Sequence, residues 1–112
     1  MKNPFASLFK KVPEITAVQL HGNLENVQLV DVRTHTEFGH SHIDGAQNLP
    51  ILTFTESRIA ELELDQSRPV VLICLSAHRS IPATRKLIKM GFDAKQLKSG
   101  MKAWWAADFP VV

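Results

Sequence analysis

The chain carries one cysteine in 112 residues. A lone thiol forms no internal disulfide, so it stays reduced, pairs with another chain or reacts, and a reducing cytosol is its natural setting. Long apolar runs are also missing, and no stretch reaches membrane-spanning length. The opening MKNPFASLFKKVPEI mixes Lys2, Lys10 and Lys11 with Phe5, Leu8 and Phe9, without the long apolar run or small-residue cleavage site of a signal peptide. Residues 4–10 read as a short amphipathic helix whose apolar side chains cover the domain, in preference to a membrane or partner anchor. Internal repeats, low-complexity tracts and linkers are absent. At 45% hydrophobic and 21% charged the composition excludes disorder, and the length suits one domain with its own core. We divide it into an N-terminal amphipathic segment, residues 1–13, and a domain, residues 14–112.

The net charge of +2 conceals an uneven distribution. Residues 1–13 hold three lysines and no acid, residues 14–65 nine acids against Arg33 and Arg58, and residues 66–112 eight bases against Asp93 and Asp108. The bases of the last part are spread over expected helices without interleaved stacking aromatics, which argues against nucleic acid and for a small anionic substrate.

VQLVDV (27–32) and VVLIC (70–74) are short continuous apolar runs rich in β-branched residues, the pattern of strands buried on both faces of a parallel sheet. Helical periods lie between such runs. Thr16 is the expected N-cap of AVQLHGN, with Gly22 near its end. FTESRIAELEL sets Ile59 and Leu62 on one side. SIPATRKLIKMG sets Ala83, Leu87 and Met90 on one face and Arg85, Lys86 and Lys89 on another, with Pro82 tolerated in its first turn and Gly91 closing it. A short strand AKQL and a last helix around MKAWWAA follow. Strands alternating with helices predict an α/β domain with a mainly parallel central sheet, helices on both faces.

The cysteine, Cys74, closes the second strand and stands just before the helix that opens near Arg79 or Ser80. In open α/β sheets ligands bind beyond the carboxyl ends of the strands. The turn Leu75, Ser76, Ala77, His78, Arg79 holds small residues that let successive backbone N–H groups point inward as an anion nest. With the helix end and the Arg79 charge, this setting favours thiolate over thiol and lowers the cysteine pKa. A buried, inert cysteine is the alternative and has no use for such surroundings.

CLSAHRS, a Cys, four residues, then Arg-Ser, resembles the active-site loop of the rhodanese family of sulfurtransferases. Two further motifs share the resemblance. LVDVRTHTEFGHSHIDGAQNLP is similar to the family's first signature through Asp31, Arg33, Glu37, His42, Ile43, Gly45, Ala46 and Pro50. MGFDAKQLKSGMKAW is similar to its C-terminal signature through Gly91, Phe92, Leu97, Gly100 and Trp104. Together they span about residues 15–110. Departures are Ser41, Ala77 and Ser99 where the family often has glycine; at Ala77 a positive φ would cost about 1 kcal/mol.

The resemblance implies a rhodanese-like domain that moves sulfane sulfur from thiosulfate or a persulfide donor to an acceptor such as cyanide, a small thiol or a protein thiol, through a persulfide on Cys74. Leu75, Ser76, Ala77, His78, Arg79 and Ser80 would form the anion loop, with Asp31, Arg33 and His42 in support, and no cofactor is required. Asp31 is expected to orient the loop, Arg33 to pair with Glu37, and His42 to brace a turn through the backbone. His35, His40, His42 and His78 lie in expected loops without the second cysteine or carboxylate pattern of a zinc site, so no metal is expected. Trp104, Trp105, Phe92 and Phe109 read as core and lid aromatics, and Met101 as a pocket border. Cysteine phosphatases and arsenate reductases also pair Cys and Arg around an anion loop, but with five intervening residues; a noncatalytic binding module is the other alternative.

Overall fold

The computed structural model describes residues 11–76 and 78–112, so the expected helix at 4–10 and the backbone at Ala77 lie outside the described residues. Five strands form one wholly parallel sheet: β1 (Glu14–Ile15), β2 (Gln28–Asp31), β3 (Gln47–Asn48), β4 (Val70–Ile73) and β5 (Ala94–Leu97). Their order across the sheet is β1-β5-β4-β2-β3. Helices α1 (Ala17–His21), α2 (His35–His40), α3 (Glu56–Glu61), α4 (Ser80–Lys89) and α5 (Gly100–Ala106) alternate with them.

Side chains alternate across a strand, and here both sides are apolar. Val30, Val32, Val70, Leu72 and Ala94 pack with Ile59, Ala83 and Leu87, so α3 and α4 cover one face. Leu29, Val71, Ile73 and Leu97 pack with Ala17, Leu20, Met101 and Trp104, so α1 and α5 cover the other. Burying each such side chain contributes about 1.5–3 kcal/mol, which makes the two-faced sheet the main source of stability. The expected α/β architecture with helices on both faces is therefore the observed one. β1 and β3, at two residues each, are too short for the apolar-run criterion that marks β2 and β4.

Local signals place most helix ends. Thr16 caps α1 by accepting the Gln19 N–H, and Gln19 returns the bond to the Thr16 N–H. Gly91 follows α4 at φ +95°, a left-handed position that suits glycine. One expectation fails: residues 35–40 are helix, not loop. The Thr34-x-x-Glu37 capping box nucleates α2, with Thr34 Oγ1 accepting the Glu37 N–H and Glu37 Oε1 accepting the Thr34 N–H.

The sheet order places the crevice. β2 and β4 are neighbours, yet the chain leaves β2 toward β3 and leaves β4 toward β5, in opposite directions across the sheet. Ligands of open α/β sheets bind at such a divergence. Cys74 follows β4 there, one residue beyond the strand rather than its last residue as expected.

Helix α5 fixes the chain just after the cysteine. The Met101 N–H donates to the Cys74 carbonyl at 2.8 Å and the Lys102 N–H to the Leu75 carbonyl at 3.1 Å. Such closeness requires Gly100, where a Cβ would lie 2.2 Å from the Cys74 oxygen and 2.7 Å from the Leu75 carbonyl. Ser99 before it sits at φ +58°, a left-handed conformation that disfavours any residue with a Cβ. Replacements here have opposite signs. Gly100→Ala should lower stability by about 3 kcal/mol, because backbone must move, whereas Ser99→Gly should raise it by about 0.5 kcal/mol, the relieved strain exceeding the added chain entropy. Urea denaturation of the two variants beside the wild type checks both signs.

Candidate active site

Cys74 is 1% exposed and packs in the cluster of Val30, Val32, Leu72 and Ala83. Its Sγ accepts the Arg79 backbone N–H at 3.2 Å. Burial opposes a charged sulfur, while an amide donor and a nearby guanidinium favour it. The loop between these two residues has Leu75 and Ser76 half-buried and His78 exposed. It turns back on the sulfur as α4 begins at Ser80 with Arg79 as its N-cap residue. The expected order of strand, loop and helix is therefore present.

The partners of the charged residues differ from expectation. Arg33 does not pair with Glu37. It is 1% exposed and binds Asp31, with its backbone N–H and Nε both on Oδ1 at 3.0 Å and Nη2 on Oδ2 at 2.8 Å. Its Nη2 also donates to the Ser41 carbonyl at 2.7 Å. Residues 31 and 33 fall on the same side of extended chain, which makes this short-range pairing possible. Asp31 thus acts on Arg33 and not directly on the loop, and the pair is tolerable in the interior because its bonds are satisfied.

Glu37, expected to pair with Arg33, stands instead against the cysteine loop, a placement that sequence reasoning missed. Its carboxylate receives Arg79 in a two-pronged arrangement, Nη1 on Oε1 at 2.6 Å and Nη2 on Oε2 at 2.9 Å. The hydrogen bond from Arg79 is the main reason that the Glu37 pKa falls from 4.5 to about 2. Arg79 is in turn pushed above its usual value, first by Glu37 and then by Cys74. The Cys74 contribution is reciprocal, since the guanidinium that the sulfur helps to keep protonated favours a thiolate in turn, whereas the Glu37 carboxylate, itself an anion, does not. The folded-state value for Glu37 lies below the unfolded one, so the pair stabilises the fold fully above about pH 4.5 and loses that contribution as pH falls through about 2. The helical position of Glu37 is signalled locally by Thr34, but its partner lies 42 residues away and carries no local signal.

The Ser80 side chain leaves the loop. It is buried, and its hydroxyl donates to Gln96 Oε1 at 2.6 Å while Gln96 Nε2 donates to Glu14 Oε2 at 3.1 Å. This polar chain ties the start of α4 to β5 and β1, so the Ser80 hydroxyl serves placement of the helix. His42 has its expected place, with Nδ1 on the Phe38 carbonyl at 2.7 Å and its ring stacked on Phe38. His35 Nδ1 meets Asn48 Oδ1. Among the described residues no group of three His, Cys, Asp or Glu side chains is disposed to hold a metal ion. Met101 is wholly buried in the core, so it reaches the site through its amide and does not border a pocket. Trp104 is core, Phe92 and Phe109 are partly buried, and exposed Trp105 donates through Nε1 to Ser41 Oγ and lies beneath Arg33. No helix among the described residues is long and apolar enough to cross a membrane.

Comparison with known proteins agrees with this arrangement. Residues 16–107 match the family model of the Rhodanese-like domain. Thiosulfate sulfurtransferase GlpE of Shewanella oneidensis is 33% identical over 105 residues, covering 91% of this chain and 98% of that protein. An HTH-type transcriptional regulator of Mycobacterium tuberculosis, Rv0324, is 40% identical over 87 residues, which cover 76% of this chain and 37% of the regulator. Among solved structures, a rhodanese-related protein from Thermoplasma volcanium superposes with a TM-score of 0.79 at 27% identity, over 89% of this chain and 97% of that one. With its five-stranded parallel sheet, its cysteine at the divergence of β2 and β4, and a family match across most of its length, the chain belongs to the rhodanese-like domain family of sulfurtransferases.

Proposed function

We propose that the protein transfers sulfane sulfur through a persulfide on Cys74. The observation that carries this reading is the Arg79 N–H held 3.2 Å from Sγ at the mouth of the sheet crevice. An inert core thiol needs no such donor.

The Cys74 thiolate attacks the outer sulfur of the donor. With thiosulfate, the bond between the two sulfurs breaks, sulfite leaves with the bonding electron pair, and the outer sulfur stays on Cys74 as a persulfide anion. A thiophilic acceptor then takes that sulfur: cyanide becomes thiocyanate, a thiolate becomes a persulfide, and Cys74 returns to thiolate. No oxidant or reductant enters. The backbone N–H groups of residues 75–80 serve as donors to the thiolate and to the terminal sulfur in turn. Leu75, Ser76, Ala77 and His78 supply backbone, Arg79 supplies backbone and charge, and Ser80 places the helix. Asp31, Arg33 and His42 act at a distance, by holding the β2 end of the crevice in shape. A reducing compartment suits a chemistry that depends on a free thiol.

Because Cys74 is the sole cysteine, the persulfide meets no second thiol within the chain. Its sulfur therefore waits for an external acceptor instead of leaving as sulfide with formation of an internal disulfide. Incubating the reduced protein with thiosulfate, desalting it and measuring intact mass should show one added sulfur that persists until cyanide or a thiol is supplied. No mass gain, or rapid loss without acceptor, would count against the carrier mechanism.

Two substitutions sharpen the test. Cys74→Ser should keep the fold and abolish thiocyanate formation, because a hydroxyl stays protonated at neutral pH. Iodoacetamide should alkylate wild-type Cys74 with a midpoint below the free-cysteine value of about 8.5. In Arg79→Ala that midpoint should rise by about one pH unit or more, as a cation is lost and Glu37 is left unpaired. Alkylation rates followed against pH for the two proteins provide the check.

A further inference from the structure

The loop arginine would ordinarily be counted as a free positive charge for an anionic donor. Here its charge is already met. Both terminal nitrogens of Arg79 are committed to the two oxygens of Glu37, at 2.6 and 2.9 Å. The carboxylate is not free to swing away, because its Oε1 also accepts from the Thr34 N–H at 3.0 Å and from the Thr34 hydroxyl at 3.1 Å. The first turn of α2 therefore aims a fixed negative charge at the cysteine loop. Both side chains are 30% exposed, so solvent and salt screen them less than a surface pair.

The other charges around the crevice do not replace the one that Glu37 cancels. Asp31 and Arg33 form a buried pair that compensates itself. Lys98 and Lys102 stand at the end of β5 and in the first turn of α5, both exposed, and His78 is exposed within the loop. Exposed lysines attract anions generally, with a reach limited to about 8 Å at physiological ionic strength. They steer a donor without giving the inner loop a positive charge. At the point of attack a donor meets a compensated guanidinium and a nucleophile that is itself an anion.

We propose that Glu37 sets the donor preference by charge, so that the site takes monoanionic sulfane-sulfur donors, such as organic thiosulfonates and persulfide anions, ahead of dianionic thiosulfate. This deepens the sulfur-transfer reading above and rests on it. The two donor types undergo the same displacement. With methanethiosulfonate the Cys74 thiolate takes the outer sulfur and methanesulfinate leaves with the electron pair; with thiosulfate the leaving group is sulfite. One negative charge distinguishes the donors, and a neighbouring carboxylate acts on that difference. The low Glu37 pKa keeps this carboxylate ionised throughout the neutral range.

The test is the ratio of kcat/KM for methanethiosulfonate to that for thiosulfate, with cyanide as acceptor, divided by the ratio of the same donors' rates with a free small thiol. Any effect of Glu37 on the nucleophilicity of Cys74 acts on both donors and cancels in this quotient. Wild type should favour the monoanion on the order of tenfold, the factor that about 1.4 kcal/mol of differential interaction produces. In Glu37→Gln, whose amide oxygen still accepts the Thr34 N–H and preserves the cap, the quotient should fall toward one, mainly through a lower KM for thiosulfate. A wild-type quotient at or below one overturns the proposal with no variant needed. So does an unchanged quotient in Glu37→Gln with a native circular dichroism spectrum. Failure of both donors to add sulfur to Cys74 would remove the sulfur-transfer reading itself, and the proposal with it.

Discussion

The Arg33 guanidinium is the interaction on which the geometry of the crevice depends. It is buried, and a buried charge survives only where its donors are met. Asp31 meets them on one side and the Ser41 carbonyl on the other, while the Trp105 ring lies 5.9 Å from its carbon centre. Three elements are tied by one side chain: the end of β2, the residue that ends α2, and the outer face of α5. Removing it would leave the Asp31 carboxylate uncompensated in the interior, the costly way to break a buried pair, at about 3–5 kcal/mol.

The site follows from what Arg33 holds in place. With α2 fixed beside the sheet edge, Glu37 stands where the chain leaving β4 brings Arg79 past it, and the ion pair closes the crevice from one side. From the other side α5 presents its first amides to the Cys74 and Leu75 carbonyls. The cysteine is thus gripped through its backbone from one flank and through its loop arginine from the other, with the Arg79 N–H on the sulfur. A buried thiol held this way has little freedom to reorient, which is the preorganisation a displacement at sulfur needs.

Charge compensation near the thiol also bears on how the fold divides labour. Arg79 interacts with Cys74 as well as with Glu37, since the field of a paired guanidinium is reduced rather than erased at short range. Glu37 moderates that field, and the exposed Lys98 and Lys102 add a screened one farther out. Ser80, adjacent to Arg79, reaches toward the sheet. Its hydroxyl donates to Gln96, so the start of α4 is pinned to β5.

Features that depend on near neighbours were readable from the sequence. The continuous apolar runs at 27–32 and 70–74 marked the buried central strands, because a strand covered on both faces has no polar side. Thr16, Gly91 and the apolar stripe of α4 marked helix ends and faces, and the cysteine between strand and helix marked the crevice. The Thr34-x-x-Glu37 box was equally local, though its histidine-rich surroundings pointed to a loop. Choice of ionic partner was another matter. Arg33 has an acid two residues before it and another four residues after, and helical spacing favours the second; extended backbone at the end of β2 selects the first. Glu37 is then free for an arginine 42 residues on, and Ser80 for a glutamine 16 residues on. Such pairings are set by which loops the parallel sheet gathers at one edge. They follow from strand order, and strand order is a property of the assembled chain.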